Sequence, residues 1–278
     1  MKNKKVLHIF THQYPAWLLK NPGWIRLSYA FTYLLQLRKW YIQKNLKKLF
    51  TTYNTPFSLL DAGCGEGQYL FPFAETNPAS LFKGIDKLES NITFCKKYVS
   101  AKKLVNVSLE QTEIDQLSEQ NVFDIILCIS VLVYCTDLKA ALNAMNNALK
   151  PGGKFFLYVP VRDKSILPFY KKLNSKFPNY ETIQNNQGKT SEEKLLELLQ
   201  ESNFRFLNKQ YTYGFFGILS NELSNMHFIL LGAAPFPLKI LIGLSLLIFM
   251  PIILVCMLLD YILPLQKGNG LVILAERA

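Results

Sequence analysis

The chain has 278 residues, half of them hydrophobic and 18% charged, which permits a sizeable core and excludes a mainly disordered state. Its net charge is +11, and residues 1–60 hold ten Lys or Arg and no acid, so an anionic partner is expected, phospholipid or nucleic acid. Five cysteines (Cys64, Cys95, Cys128, Cys135, Cys256) form no CxxC pair and meet no histidine at zinc spacing, which predicts reduced thiols and no metal site.

In chain order, Met1–Lys5 is basic, but the apolar run Val6–Phe10 is too short for a secretory signal. Leu27, Phe31, Leu34, Ile42, Leu46 and Leu49 then recur at helical spacing beside Arg38, Lys39, Lys44, Lys47 and Lys48. With Trp17, Trp24 and Trp40, this predicts a basic amphipathic region over residues 1–50 that meets lipid headgroups. The same pattern also suits a lid packed over the following domain.

Residues 51–215 alternate short apolar runs with helical patterns, the signature of a mostly parallel sheet covered by helices. Strands are predicted at Phe57–Ala62, Leu81–Asp86, Val105–Leu109, Phe123–Ile129, Lys154–Pro160 and Phe204–Tyr213, with a seventh at Gly270–Glu276. Asn91–Lys103 reads as a helix. Asp137 caps another, with Leu138, Ala141, Leu142, Met145 and Leu149 on its apolar face, and Pro151-Gly152-Gly153 ends it. Thr190 and Glu193 read as a capping box for a helix over Ser191–Glu201.

The stretch Asp61-Ala62-Gly63-Cys64-Gly65-Glu66-Gly67 follows a strand and opens a helix, the context that a nucleotide-binding glycine loop requires. Asp86 ends the next strand 19 residues beyond Gly67, where a carboxylate can take both hydroxyls of a ribose. The order is D-x-G-x-G-x-G, not G-x-G-x-x-G. An acid at the strand end suits a cationic amino-acid tail better than a pyrophosphate, and no lysine follows as a phosphate loop needs.

Together with Leu59–Gly67, the blocks Gly84–Asp86 (GID), Phe123–Asp137 (FDIILCISVLVYCTD) and Leu149–Gly153 (LKPGG) resemble the class I S-adenosylmethionine-dependent methyltransferases, in matching order and spacing over residues 55–215. The resemblance implies a Rossmann-like α/β fold with a mostly parallel seven-stranded sheet, and S-adenosyl-L-methionine as cofactor. By it, Asp61, Gly63, Cys64, Gly65 and Gly67 hold the methionine end. Asp86 takes the ribose, Lys87 lies beside the adenine, and Glu113 and Ile114 reach the adenine edge and face. Cys128 to Ser130 line the floor beneath the sulfonium. Quinone-biosynthesis relatives carry E-x-x-E-H after the fourth strand; here Ser130-Val131-Leu132-Val133-Tyr134 stands there, which removes a His base and a metal site. His8, His12 and His227 lie outside the motif blocks. Tyr134 is the remaining candidate to orient an acceptor hydroxyl. The Asn/Asp-Pro-Pro-aromatic loop typical of nucleobase amino methylation is absent, so a nucleic-acid acceptor is not expected.

Residues 216–267 are strongly apolar, and Ile240–Leu259 is twenty residues without a charge, long enough to cross a bilayer. If Gly270–Glu276 pairs with the sixth strand, however, both ends of the segment stay on one side. The sequence therefore predicts a re-entrant or in-plane helical hairpin, with Pro251 turning it back and Phe228–Phe236 as its shallower arm. The expectation is a monotopic methyltransferase at the cytoplasmic face of a membrane with anionic lipids. Its acceptor would be a hydrophobic small molecule or lipid, methylated on oxygen or, second, on carbon; the alternatives are a soluble acceptor, or a cofactor-binding membrane scaffold without turnover.

Overall fold

Period-two alternation shapes the sheet. In the strand Phe123–Ile129 (β4), Ile125, Leu127 and Ile129 point to one apolar layer and Ile126 and Cys128 to the other. The strand Leu149–Pro160 (β5) divides in the same way, with Phe156 and Tyr158 opposite Phe155, Leu157 and Val159. The computed structural model describes residues 22–177 and 191–278.

The other strands are β1 (Ser58–Ala62), β2 (Leu81–Asp86), β3 (Val107–Gln111), β6 (Phe204–Thr212) and β7 (Gly270–Arg277). They form one sheet in the order β3-β2-β1-β4-β5-β7-β6, parallel from β3 to β5, with β7 antiparallel to both β5 and β6. The chain reverses its direction of strand addition between β1 and β4, which opens a crevice at their carboxyl ends.

One face of the sheet is covered by α2 (Leu37–Phe50), α3 (Leu70–Thr76) and α4 (Glu89–Lys102). The other is covered by α5 (Leu138–Ala148) and α7 (Glu192–Glu201), while α6 (Pro168–Lys176) stands between β5 and α7 in sequence. Ile42, Leu46 and Leu49 of α2 and Leu142, Met145 and Leu199 of α5 and α7 are all buried in these layers.

Four local expectations change. The third strand starts at Val107, and Val105 is 98% exposed outside it. The fifth strand begins at Leu149, because Leu149 pairs with Phe123 and the Pro-Gly-Gly turn lies within the strand span. Ser191 caps α7 by accepting the Lys194 N–H; Thr190 lies outside the described residues. The N-terminal amphipathic pattern is two helices, α1 (Pro22–Leu35) and α2, separated at Gln36, which has extended backbone angles.

The apolar segment is also rearranged. It forms α8 (Phe215–Ala233) and α9 (Phe236–Ile262), which turn at Ala234-Pro235 and pack along each other. The reversal is at that turn and not at Pro251, through which α9 continues unbroken. A helical arm thus begins at Phe215, well before Phe228. It buries Ser220, Glu222, Ser224 and His227, the last beside the Phe249 ring of α9, and Glu222 accepts the Ile166 and Leu167 N–H groups at the start of α6. Both ends of the excursion leave the sheet together, since Thr212 of β6 is paired with Gly270 of β7.

Candidate active site

The turn after β1 is held from β2. Ile85 O accepts the Gly63 and Cys64 N–H groups at 2.8 and 2.9 Å, and Asp86 Oδ2 accepts the Gly65 N–H at 2.9 Å. Asp86 Oδ1 accepts the Leu88 N–H at 2.8 Å, so this carboxylate ties the loop down with lone pairs to spare for a ribose. Gly65 has φ +54° and nothing within 4 Å of the place a Cβ would fill, leaving its backbone open to a ligand. At Gly63, φ is +78° and a Cβ would strike Val131 of the β4 turn.

Asp61 lies at the end of β1, 1% exposed, and its Oδ2 has no partner among the described residues. Burial, with the Asp86 charge as the second cause, pushes its pKa up to about 7. A buried carboxylate oxygen without a donor is costly, and the ammonium of an amino-acid tail is a donor that suits it.

Across the crevice, Ser130 directly follows β4 with φ +60°, a conformation that costs a non-glycine residue about 1 kcal/mol or more. Its N–H donates to Tyr158 O, and its Oγ accepts from Arg38 Nη1 at 3.1 Å. The Arg38 guanidinium also lies 6.0 Å from the Tyr158 ring centroid. Its charge opposes the rise that burial imposes on the Tyr69 hydroxyl. Arg38, Tyr69, Asp61 and Ser130 therefore converge. The loop is covered from outside by α1, whose Tyr29 hydroxyl donates to the Glu66 carbonyl.

Lys87 and Tyr134 meet on the β2 side of the crevice, with the ammonium 5.9 Å from the ring centroid. Glu113 is exposed at the start of a short 3-10 turn, and Ile114 beside it is buried. Thr112 N–H donates to Asp86 O, and the Gln111 amide donates to Lys87 O, so these residues border the same crevice. Cys64 is 4% exposed and shares the Gly65 carbonyl with the Cys95 thiol. Cys128 is fully buried in the apolar layer against α5, behind the crevice floor, where burial raises its thiol pKa.

Arg38 and Lys39 fall outside the headgroup-facing set expected for them. Arg38 turns inward, and Lys39 is 3% exposed beside the Tyr29 ring, its pKa lowered to about 8 by burial and then by Arg38. Trp40 is packed edge-on to Tyr261 and donates to Tyr33 O. Lys44, Lys47 and Lys48 remain exposed, as does Trp24; Trp17, His8 and His12 lie outside the described residues. The helical wheel held the missed signal: Arg38 adjoins Leu37 and lies one turn from Tyr41 and Ile42, so it borders the buried stripe.

Residues 56–203 match the family of methyltransferase domains, just over half of the chain. A ubiquinone biosynthesis O-methyltransferase of Bradyrhizobium sp. (strain ORS 278) is 34% identical over 95 residues, covering 34% of this chain and 36% of that protein. A tRNA U34 carboxymethyltransferase of Campylobacter fetus subsp. fetus (strain 82-40) is 30% identical over 125 residues, 43% of each chain. The matches thus span less than half the length of these curated relatives. In fold, the chain is similar to the Haemonchus contortus phosphoethanolamine N-methyltransferase 2 crystallised with S-adenosyl-L-methionine. That likeness has TM-score 0.57 and 18% identity, and covers 84% of this chain and 52% of that one. The acid-led glycine loop at the β1–β4 switch point, the Asp86 clasp and the domain match agree on one lineage and one cofactor, S-adenosyl-L-methionine: the chain belongs to the class I S-adenosylmethionine-dependent methyltransferases.

Proposed function

We propose that the protein methylates a hydrophobic small molecule or lipid at a membrane surface, on oxygen first and on carbon second. The observation that carries the membrane part is the outer face of α9. Leu241, Leu244, Leu247, Ile248 and Ile252 are each at least half exposed there, a continuous apolar stripe far larger than a soluble surface tolerates. Among the described residues, α9 is the helix long and apolar enough to cross a bilayer. Its entry and exit at one rung of the sheet favour an in-plane or re-entrant hairpin over a single crossing. Trp24, Leu27 and Leu34 of α1 add exposed apolar surface, and Lys44, Lys47 and Lys48 of α2 supply charge for anionic headgroups on the cytoplasmic face.

Within the site, the bound cofactor supplies a methyl group already activated on a sulfonium. Asp61 receives its ammonium and Arg38 its carboxylate, the two charges of one amino-acid tail. Asp86 takes the ribose, while Glu113, Ile114 and Lys87 border the adenine. Ser130 forms the floor with Arg38 fixed to it, and Tyr134 orients an acceptor hydroxyl. Positioning and exclusion of water then do most of the catalytic work. The ubiquinone O-methyltransferase relative favours a lipid-like acceptor.

The first experiment is calorimetry of S-adenosyl-L-methionine binding to detergent-solubilised protein, wild type beside Asp86→Ala. Saturable binding that the substitution abolishes supports the site and opens a screen with labelled cofactor against membrane lipid extract and total RNA. No binding by folded wild type overturns the reading of the site. Label appearing in RNA alone replaces the lipid acceptor with a nucleic-acid one, the acceptor class named for the tRNA relative.

A further inference from the structure

Helix α2 is gripped between the candidate site and the root of the apolar hairpin. Its first turn is capped from the hairpin side, where the Tyr213 hydroxyl accepts the Arg38 backbone N–H at 3.0 Å. One turn on, the Tyr41 hydroxyl lies in donating distance of the Asp260 carbonyl oxygen, at 2.6 Å, and of Asp260 Oδ2, at 2.9 Å. Asp260 is 1% exposed, and its Oδ1 accepts the Gly217 N–H at 2.8 Å. That bond satisfies the first turn of α8, whose N-cap Gly214 has no side chain to do so. A carboxylate buried in so apolar a helix is tolerated only when each oxygen is paired. Here the pairs join α9 to α8 and to α2. Leu37 and Tyr41 close the same seam against Ile253 and Met257 of α9.

From the same turn of α2, Arg38 reaches Ser130 at the crevice floor. We infer that Tyr41 and Asp260 are positioning residues for methyl transfer, fixing α2 against the hairpin root so that the Arg38 guanidinium stays at the cofactor face. The inference rests on the reading of Arg38 as the partner of the cofactor's carboxylate. Arg38 and Tyr41 share one rigid helix, so a roll of α2 that opens the Tyr41–Asp260 contact carries Arg38 with it. For a group extended well beyond the ~2.3 Å radius of the helix backbone, a roll of roughly 20° moves the tip by a few ångströms, enough to break a hydrogen bond. The hairpin thus contributes to cofactor binding as well as to location.

The test is a double-mutant cycle on the full chain in detergent, with S-adenosylhomocysteine affinity read by calorimetry. Tyr41→Phe and Asp260→Asn should each weaken binding roughly fivefold, the size of one lost hydrogen bond. Arg38→Ala should weaken it tenfold or more, as expected for a charge-assisted pair. In the Arg38→Ala background, Tyr41→Phe should then cost less than twofold, while flotation with vesicles and helix content stay as in wild type. Wild-type affinity in Tyr41→Phe, or an undiminished Tyr41→Phe loss without Arg38, overturns the inference. If Tyr41→Phe fails to fold, Asp260→Asn takes its place in the cycle, and the same two results overturn the inference. Wild type that binds no S-adenosylhomocysteine defeats the cofactor-site reading instead, so the two failures are told apart.

Discussion

Asp61 keeps a carboxylate where water is excluded and Oδ2 finds no donor among the described residues, and this has a pH signature. Its folded pKa of about 7 lies above the unfolded value, so the folded state holds the extra proton between pH 4 and 7. The stability of the free protein therefore falls as pH rises through that window, by roughly 4 kcal/mol from this group. Asp61→Asn should flatten that part of the stability profile, measured by denaturant titration at pH 5 and pH 8. Cofactor affinity should move the opposite way. The bound ammonium needs the ionised acid, so affinity should drop roughly tenfold from pH 8 to pH 6, and Asp61→Asn should remove both the slope and about 2 kcal/mol of binding. A wild-type profile flat over that range would show that Asp61 does not face the ammonium. Gly63→Ala places a methyl group against Val131 at positive φ, and a destabilisation of roughly 1–3 kcal/mol is expected in thermal melts.

The elements differ in how plainly the sequence announces them. The glycine loop and Asp86 were legible because the turn is a local backbone requirement, dictated by residues a few positions apart. The α5 cap was legible for the same reason, and Asp137 does accept the Ala140 N–H at 2.9 Å. The break between α1 and α2 was not, because Gln36 is an ordinary helix former and the interruption is imposed by packing against Tyr213 and α9. Arg38 was hidden by the same cause, since basic residues beside an apolar stripe read alike whether they meet lipid or a buried site. Two variants, one single and one double, separate the layers. Leu46→Ala, fully buried on α2, should cost about 2–5 kcal/mol in denaturant unfolding. Leu247→Asp with Ile248→Asp, on the exposed face of α9, should lower vesicle binding at least tenfold and leave cofactor binding and unfolding midpoint unchanged.

At the scale of the whole molecule, the apolar hairpin is an elongated connection between two neighbouring strands. Thr212 faces Gly270 across the ladder, and Asn269 N–H donates to Tyr213 O at 2.9 Å, so the chain returns to the rung it left. Replacing residues 215–267 by a two-residue turn should keep the seven-stranded sheet, detectable as unchanged strand content, while vesicle binding disappears. The melting temperature should fall as well, because Glu222 no longer caps α6 and Tyr41 loses Asp260. Strand order carries one more consequence, for the sequence of events in folding. Among the described strands, β6 joins the sheet only through β7, and β7 comes after α8 and α9 in the chain. The edge of the sheet therefore cannot zip up until the chain has passed through both apolar helices, and closing so long a loop is favourable only once they have collapsed on each other. A membrane that gathers those helices early would act on this protein as a folding template.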